Sequence, residues 1–413
     1  MASNGTIAVV GGGAAGLMAA IWAGRAGGRR VLLLDGARTL GAKILISGGG
    51  RCNVTHYAVD ETSFAGSSPA AIRKVLRRFD VPATVAFFAE LGVALKREET
   101  GKLFPVTDRA RTVLDALLEA AHVAGVEIAH PWRVAEVSRG PSGFTIVASD
   151  GRRLEAGRVV LATGGKSIPK SGSDGAGYGM AVKLGHSITD LVLPALVPLR
   201  LAEGHFLRSL SGLAAPATLE VRSASGRRLV ALTGDALCTH FGLSGPAILD
   251  VSRHLLAARA ADPGAGLVIN WLPGMTAEEL DDHLRTMGGF TPLRVLQGEG
   301  QIPERLARAL CAAAGVDPAM PGHRLTREGR IALARSATQL PAPVVGDAGF
   351  DFAEVTAGGV PLRELDLATM ESRASAGLFV CGEICDVDGR IGGFNFQWAW
   401  ASGYVAGLGA AAA

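Results

Sequence analysis

At 413 residues the chain is too long for one small domain, so two domains are the starting expectation. Its 48% apolar and 19% charged residues exclude a disordered chain, and a net charge of +3 permits an anionic ligand without requiring a nucleic acid. The five cysteines (Cys52, Cys238, Cys311, Cys381, Cys385) are odd in number and show no zinc-type spacing, which argues for a reduced, cytoplasmic protein with no metal site.

The first element is a strand-turn-helix. "TIAVVGGGAAGLMAAIWAGRAG" opens on β-branched apolar residues (Ile7, Val9, Val10), turns through Gly11-x-Gly13-x-x-Gly16 and continues as an Ala/Leu/Met-rich helix. A second apolar run, "RRVLLLD", ends in Asp35, 19 residues beyond Gly16. This is the βαβ dinucleotide fingerprint in its required context. Gly11 serves the tight turn, Gly13 the close approach of a diphosphate, and Gly16 the packing of helix on strand. Ala14 and Ala15 begin the helix, whose free N–H groups and positive dipole end suit that anion. Asp35 is placed to accept from ribose hydroxyls. The same glycines interrupt the uncharged run of residues 5–24, so neither a membrane span nor a signal peptide is expected.

Next comes "GAKILISGGGRCNVTH", residues 41–56. Three successive glycines suit a loop that lies against a ligand. Lys43, Ser47, Gly48, Gly49 and Gly50 are expected to line the diphosphate and the ring of the cofactor. Arg51, Cys52 and Asn53 are expected on the substrate side, with Arg51 and Asn53 also touching the cofactor. For Cys52 a buried structural thiol is an equal alternative.

Residues 70–125 read as two helical segments. "AAIRKVLRRF" gathers Arg73, Lys74, Arg77 and Arg78 on one side, either as a solvated face or as a strip for an acidic or nucleic-acid partner. Residues 126–163 read as short strands, and the last of them leads into Thr163-Gly164-Gly165. From about Leu193 short strands divided by turns continue, with helical periodicity over 276–312. The chain then returns through "FAEVTAGGV".

The C-terminal "GLFVCGEICDVDGRIGGFNFQWAWASGYVAG" is a strand, then Gly382-Glu383, then a glycine-rich loop and a helix from about Asn395. A second acid-loop-helix at the far end is of no use to an NAD dehydrogenase and suits FAD. Glu383 can hold ribityl hydroxyls, and the helix start can face the flavin pyrimidine edge. Gly382, Asp386, Gly393, Asn395, Phe396 and Gln397 complete the expected cofactor set.

These motifs, together with "THFGLSGPAILDVSR", "VTAGGV" and "TMES", resemble the BaiN/YhiN-like NAD(P)/FAD-dependent oxidoreductases over nearly the whole chain. Two departures are Asp35, where a longer glutamate is common among FAD proteins, and a loose match at "SGSDGAGYGMAVKLGHS". The resemblance implies an α/β chain with a two-part Rossmann-like FAD-binding domain (1–190 and 341–413). Between the parts stands an inserted β-rich, barrel-like domain (191–340) carrying a small helical subdomain (about 276–333).

The resemblance also implies a reductase delivering hydride from flavin N5 to a carbon–carbon double bond conjugated to a carbonyl, with a small molecule or a uridine of ribosomal RNA as substrate. Cys52 and His240 are the candidate proton donors, and Arg51 or Arg390 could polarise the carbonyl. No second βα glycine motif exists to hold a nicotinamide, so the reductant is expected either to bind transiently at the flavin face, as NAD(P)H would, or to come from a partner protein. An oxygen-using amine or hydroxyl oxidase and a non-catalytic FAD-binding module are the competing readings.

Overall fold

The computed structural model describes residues 5–286, 288–300 and 302–412. The chain divides into two compact units, Met1–Pro194 with Glu354–Ala413, and Ala195–Ala353.

The first unit is built on a seven-stranded sheet. Its members in chain order are β1 (Thr6–Val10), β2 (Arg30–Leu34), β3 (Val126–Ala129), β4 (Arg158–Leu161), β5 (Leu365–Asp366), β6 (Glu371–Ser372) and β7 (Leu378–Val380). The spatial order is β5-β6-β7-β4-β1-β2-β3, with β7, β4, β1, β2 and β3 parallel and β6 antiparallel to both of its neighbours, β5 and β7. The central parallel strands β1, β2, β4 and β7 are almost wholly buried, as strands covered on both faces must be, while the edge strand β3 is half exposed. The order places β4, from the middle of the chain, directly beside β1, and β7, from its end, next to β4.

Two helices cross on this sheet, α1 (Ala14–Ala26) and α2 (Phe394–Ala412). They approach closely because Gly403 and Gly407, four residues apart on α2, face the α1 backbone. A Cβ on Gly403 would stand 2.5 Å from the Ala15 carbonyl oxygen, and one on Gly407 2.3 Å from that of Ala19. Residues 70–125 contain three helices rather than two (Pro69–Leu76, Val81–Glu90, Ala110–Val123), and the strands Leu95–Arg97 and Lys102–Pro105 lie between the second and third. Lys102–Pro105 pairs with Leu95–Arg97 on one side and Thr55–His56 on the other, in a small sheet next to the glycine loop.

The second unit is an antiparallel seven-stranded sheet around its own apolar core. Its edge strands, Leu340–Ala342 and Val344–Asp347, are separated only by Pro343, so the sheet curls until its edges are neighbours, as in a barrel. The helix Pro246–Ala261 and the helices Ala277–Thr286, Pro292–Gly300, Glu304–Ala313 and Arg327–Thr338 complete it. Because 340–347 pair in this sheet, the return to the first unit falls at Glu354 instead of 341, and the departure at Ala195 instead of 191. Among the described residues no helix is long and apolar enough to cross a membrane.

Candidate cofactor and active site

The site candidates of the first unit lie at the carboxyl ends of β1, β2, β4 and β7, the edge where open α/β sheets bind ligands. Gly11 turns with φ of +106°, and a Cβ there would meet the Ala162 carbonyl oxygen at 2.4 Å. A Cβ on Gly16 would lie 1.8 Å from the Gly11 oxygen, so only glycine lets helix and turn pack. Gly13 differs: its Cβ position has nothing within 4 Å, and as the extended N-cap of α1 it provides no side-chain cap. The first N–H groups of α1, beginning at Ala14 and Ala15, thus face open space that an anion can fill. Asp35 accepts from the Gly12 N–H at 2.6 Å and the Ala37 N–H at 2.7 Å, which fixes its carboxylate beside the turn.

Lys43 does more than line a loop. Its ammonium donates to Ser167 Oγ (2.7 Å), Ser173 Oγ (3.1 Å) and Glu383 Oε2 (2.7 Å). Glu383 Oε1 accepts from Ser167 Oγ (2.7 Å), Thr356 N–H (3.1 Å) and Thr356 Oγ1 (2.9 Å). Gly165 is glycine because a Cβ would strike Thr356 Oγ1 at 2.4 Å and Glu383 Oε1 at 2.8 Å. Gly382 is pinned by α2: its N–H donates to Ser402 Oγ (3.0 Å) and its carbonyl accepts from Trp398 Nε1 (3.0 Å). Ser167, Ser173, Thr356, Trp398 and Ser402 were not anticipated, and single serines and threonines in glycine-rich loops carry no sequence signal of such a role.

The helix Ala42–Gly50 breaks at Ser47 (ψ 148°), and Gly48 and Gly49 are left-handed. Ser47 Oγ donates to the Ile44 carbonyl at 2.9 Å. Gly48, Gly49 and Gly50 form an exposed ledge, and a Cβ on Gly49 would have nothing within 4 Å. Arg51 stacks on Phe104 at 4.0 Å and pairs with Glu98 at 2.6 Å. Cys52 corrects the expectation of a substrate-facing acid. With φ of +64° it turns inward, it is fully buried, and burial pushes its thiol up to about 12. Such a thiol is a core group and a poor proton donor.

Asn53 is buried, and its Oδ1 has no hydrogen-bond partner among the described residues; the same holds for Thr163 Oγ1. Unsatisfied buried polar atoms are rare in folded proteins and call for a partner. Two orphan acceptors in loops already matched to a cofactor, together with the open cradle at Gly13 and the bare ledge at Gly49, fit FAD. Gly164, with φ of +74°, packs on Ser173.

The C-terminal loop divides the remaining candidates. Asp386 is tied to Ser67, whose N–H donates to its carbonyl at 2.8 Å and whose Oγ donates to Oδ2 at 3.3 Å. Gly393 (φ +96°) lies against the Thr55 backbone, where a Cβ would meet the carbonyl carbon at 2.5 Å. Phe396 stacks on Trp400 at 5.5 Å. Two side chains expected at the cofactor are engaged elsewhere. Asn395 pairs with both sides of Gly389, accepting at 2.8 Å and donating at 3.0 Å. Gln397 is buried, accepting from Thr55 Oγ1 (2.7 Å) and Thr84 Oγ1 (3.0 Å) and donating to the Phe79 carbonyl (2.8 Å). Arg390 is exposed, with its N–H on the Ser63 carbonyl at 3.0 Å. His240 belongs to the second unit, where it is exposed and edge-on to Phe241 at 5.0 Å.

Residues 5–409 match the family model described as HI0933-like protein Rossmann domain. The chain belongs to the HI0933-like family. It is 36% identical to the 3-dehydro-bile acid delta(4,6)-reductase of Clostridium scindens, over 98% of both chains. It is also 33% identical to the ribosomal RNA dihydrouridine synthase of Escherichia coli, over 96% of both chains. Among solved structures, the 3-ketosteroid-delta4-(5alpha)-dehydrogenase of Rhodococcus jostii RHA1 covers 98% of this chain and 96% of its own, at 16% identity and a TM-score of 0.46. This HI0933-like protein is an FAD-dependent oxidoreductase of the Rossmann-like α/β class.

Proposed function

We propose that this chain saturates a carbon–carbon double bond conjugated to a carbonyl, and that its substrate is a uridine base in ribosomal RNA. The observation that carries the first half is full-length similarity to two relatives whose names describe one chemistry on unlike molecules. A 3-oxo-Δ4,6 steroid and a uridine ring both present an alkene conjugated to a carbonyl. Bound FAD would supply the hydride for the electrophilic carbon, with NAD(P)H as its transient reductant.

The protein's own residues hold and shape. Gly13 and the α1 N-terminus receive the diphosphate, Asp35 the ribose, and Glu383 the ribityl side. The ledge Gly48–Gly50 leaves a flat, side-chain-free approach for a planar substrate. Arg51, held by Phe104 and Glu98, presents a fixed cation beside that ledge and serves to polarise the carbonyl. Burial withdraws Cys52 from the proton-donor role.

The RNA half rests on Arg73, Lys74, Arg77 and Arg78. All four are exposed, opposite the buried Ile72, Val75 and Leu76 of the same helix. Arg73 pairs with Glu61 at 3.0 Å, and Lys74, Arg77 and Arg78 serve as phosphate contacts. Five free, buried cysteines favour the cytoplasm as the place of action.

Two measurements test this. Anaerobic mixing with NADH or NADPH bleaches the flavin, and added ribosomal RNA restores the colour; recovery only with an oxo-steroid would redirect the substrate assignment. Mass spectrometry of ribosomal RNA from cells lacking the protein shows a lost dihydrouridine, and an unchanged profile ends the RNA reading.

A further inference from the structure

Lys43 and Glu383 stand 340 positions apart in sequence and meet at 2.7 Å. The contact is sheltered, with the two side chains 25% and 18% exposed, and it is joined by the fully buried Ser167 and Thr356. Four loops therefore converge on one carboxylate: the helix after β2, the segment after β4, the returning segment at Thr356, and the turn after β7.

The two oxygens of Glu383 are not equivalent. Oε1 already accepts from three protein donors, which exhausts its lone pairs. Among the described residues Oε2 accepts only from Lys43, leaving capacity for another hydroxyl. Lys43 in turn uses its three protons on Ser167, Ser173 and Glu383, so none is left over for a phosphate.

We propose that Lys43 is a positioning residue for FAD, acting through Glu383. It fixes Oε2 as the acceptor presented to the cofactor's sugar-alcohol chain, and it locks the Ser167–Ser173 loop to the same point. Lys43 is thereby reassigned from the diphosphate to the carboxylate that faces the ribityl group. Ser173 acts with it as an acceptor of the Lys43 ammonium, and Thr356 by donating its N–H and hydroxyl to Glu383 Oε1. The inference rests on FAD binding and is independent of which alkene is reduced.

The test is a double-mutant cycle on the full-length holoprotein, reading FAD release after dilution together with the flavin's visible spectrum. Lys43→Met and Glu383→Gln should each speed release about tenfold, and the double variant no further than either single, since contacting groups couple. Both singles should shift the visible band, and Lys43→Arg should restore most of the wild-type retention. Additive effects, unchanged release, or variants that lose stability with an unaltered flavin spectrum would overturn the proposal. Should Lys43→Met fail to fold, Ser173→Ala removes an acceptor of the Lys43 ammonium and Thr356→Val removes one donor to Glu383, and each carries the same expectation at smaller size.

Discussion

Gly403 sits against Ala15 so tightly that a Cβ on the glycine would stand 2.5 Å from the alanine's carbonyl oxygen. That oxygen belongs to the first turn of α1, so the two helices cross where the diphosphate is to be received. Alanine favours helices over glycine by about 1 kcal/mol, but backbone cannot yield as a flexible side chain can. Gly403→Ala is therefore expected to destabilise the chain by about 1–3 kcal/mol in chemical denaturation. Exposed Gly179, in the helix Ala176–Lys183, has nothing within 4 Å of its Cβ position. Gly179→Ala should be neutral or slightly stabilising. Equal outcomes for the two would show that close approach is not what the α2 glycines provide.

The buried thiols set an alkaline limit on stability. Burial raises Cys52 to about 12 and Cys238 and Cys311 each to about 11, from the ordinary thiol value of 9.0. The unfolded chain releases these protons first, so above pH ~9 the native state binds more protons and stability falls with rising pH. Each thiol contributes a slope of about 1.4 kcal/mol per pH unit between its unfolded and folded values. The contribution is complete below pH ~9 and is lost towards pH ~11–12. Denaturation midpoints at pH 8 and pH 10.5 should separate clearly, and Cys52→Ala should shrink the difference. Cys52 should also resist thiol reagents in the native protein.

The nucleotide site was legible because its signal is carried by backbone. Gly11, Gly13 and Gly16 are each required by a turn, an open approach or a contact, and such requirements leave a glycine at a fixed spacing. Which way a side chain points beyond a turn is less readable. Cys52 follows three glycines and takes a left-handed φ, which sends the thiol inward while Arg51 stays out. Asn395 and Gln397 follow the Gly392–Gly393 turn, and the phase of the helix after it sets which of them face the core. The Lys43–Glu383 contact joins residues 340 positions apart, and no local pattern announces it.

Gln397 offers a direct check of that reassignment. Its amide satisfies two threonine hydroxyls and the Phe79 carbonyl inside the core. Gln397→Ala strands those groups, at about 1–3 kcal/mol for each left unsatisfied. The expected result is a lowered denaturation midpoint with an unchanged flavin spectrum in the fraction that folds. A changed spectrum with unchanged stability would return Gln397 to the cofactor.

The strip Arg73, Lys74, Arg77 and Arg78 makes a quantitative prediction for RNA binding. Each phosphate neutralised contributes a slope of about −0.7 to −0.9 in log K against log salt. Arg73 is partly spent on Glu61, so changing all four residues to glutamine should reduce the slope's magnitude by about 2–3. FAD content should not move, because the side chains lie outside the cofactor loops. Affinity for an RNA fragment should fall most at low salt, where screening is weakest. A solvated face with no RNA role gives the opposite result: one salt slope for both proteins, with binding carried by other cations or absent.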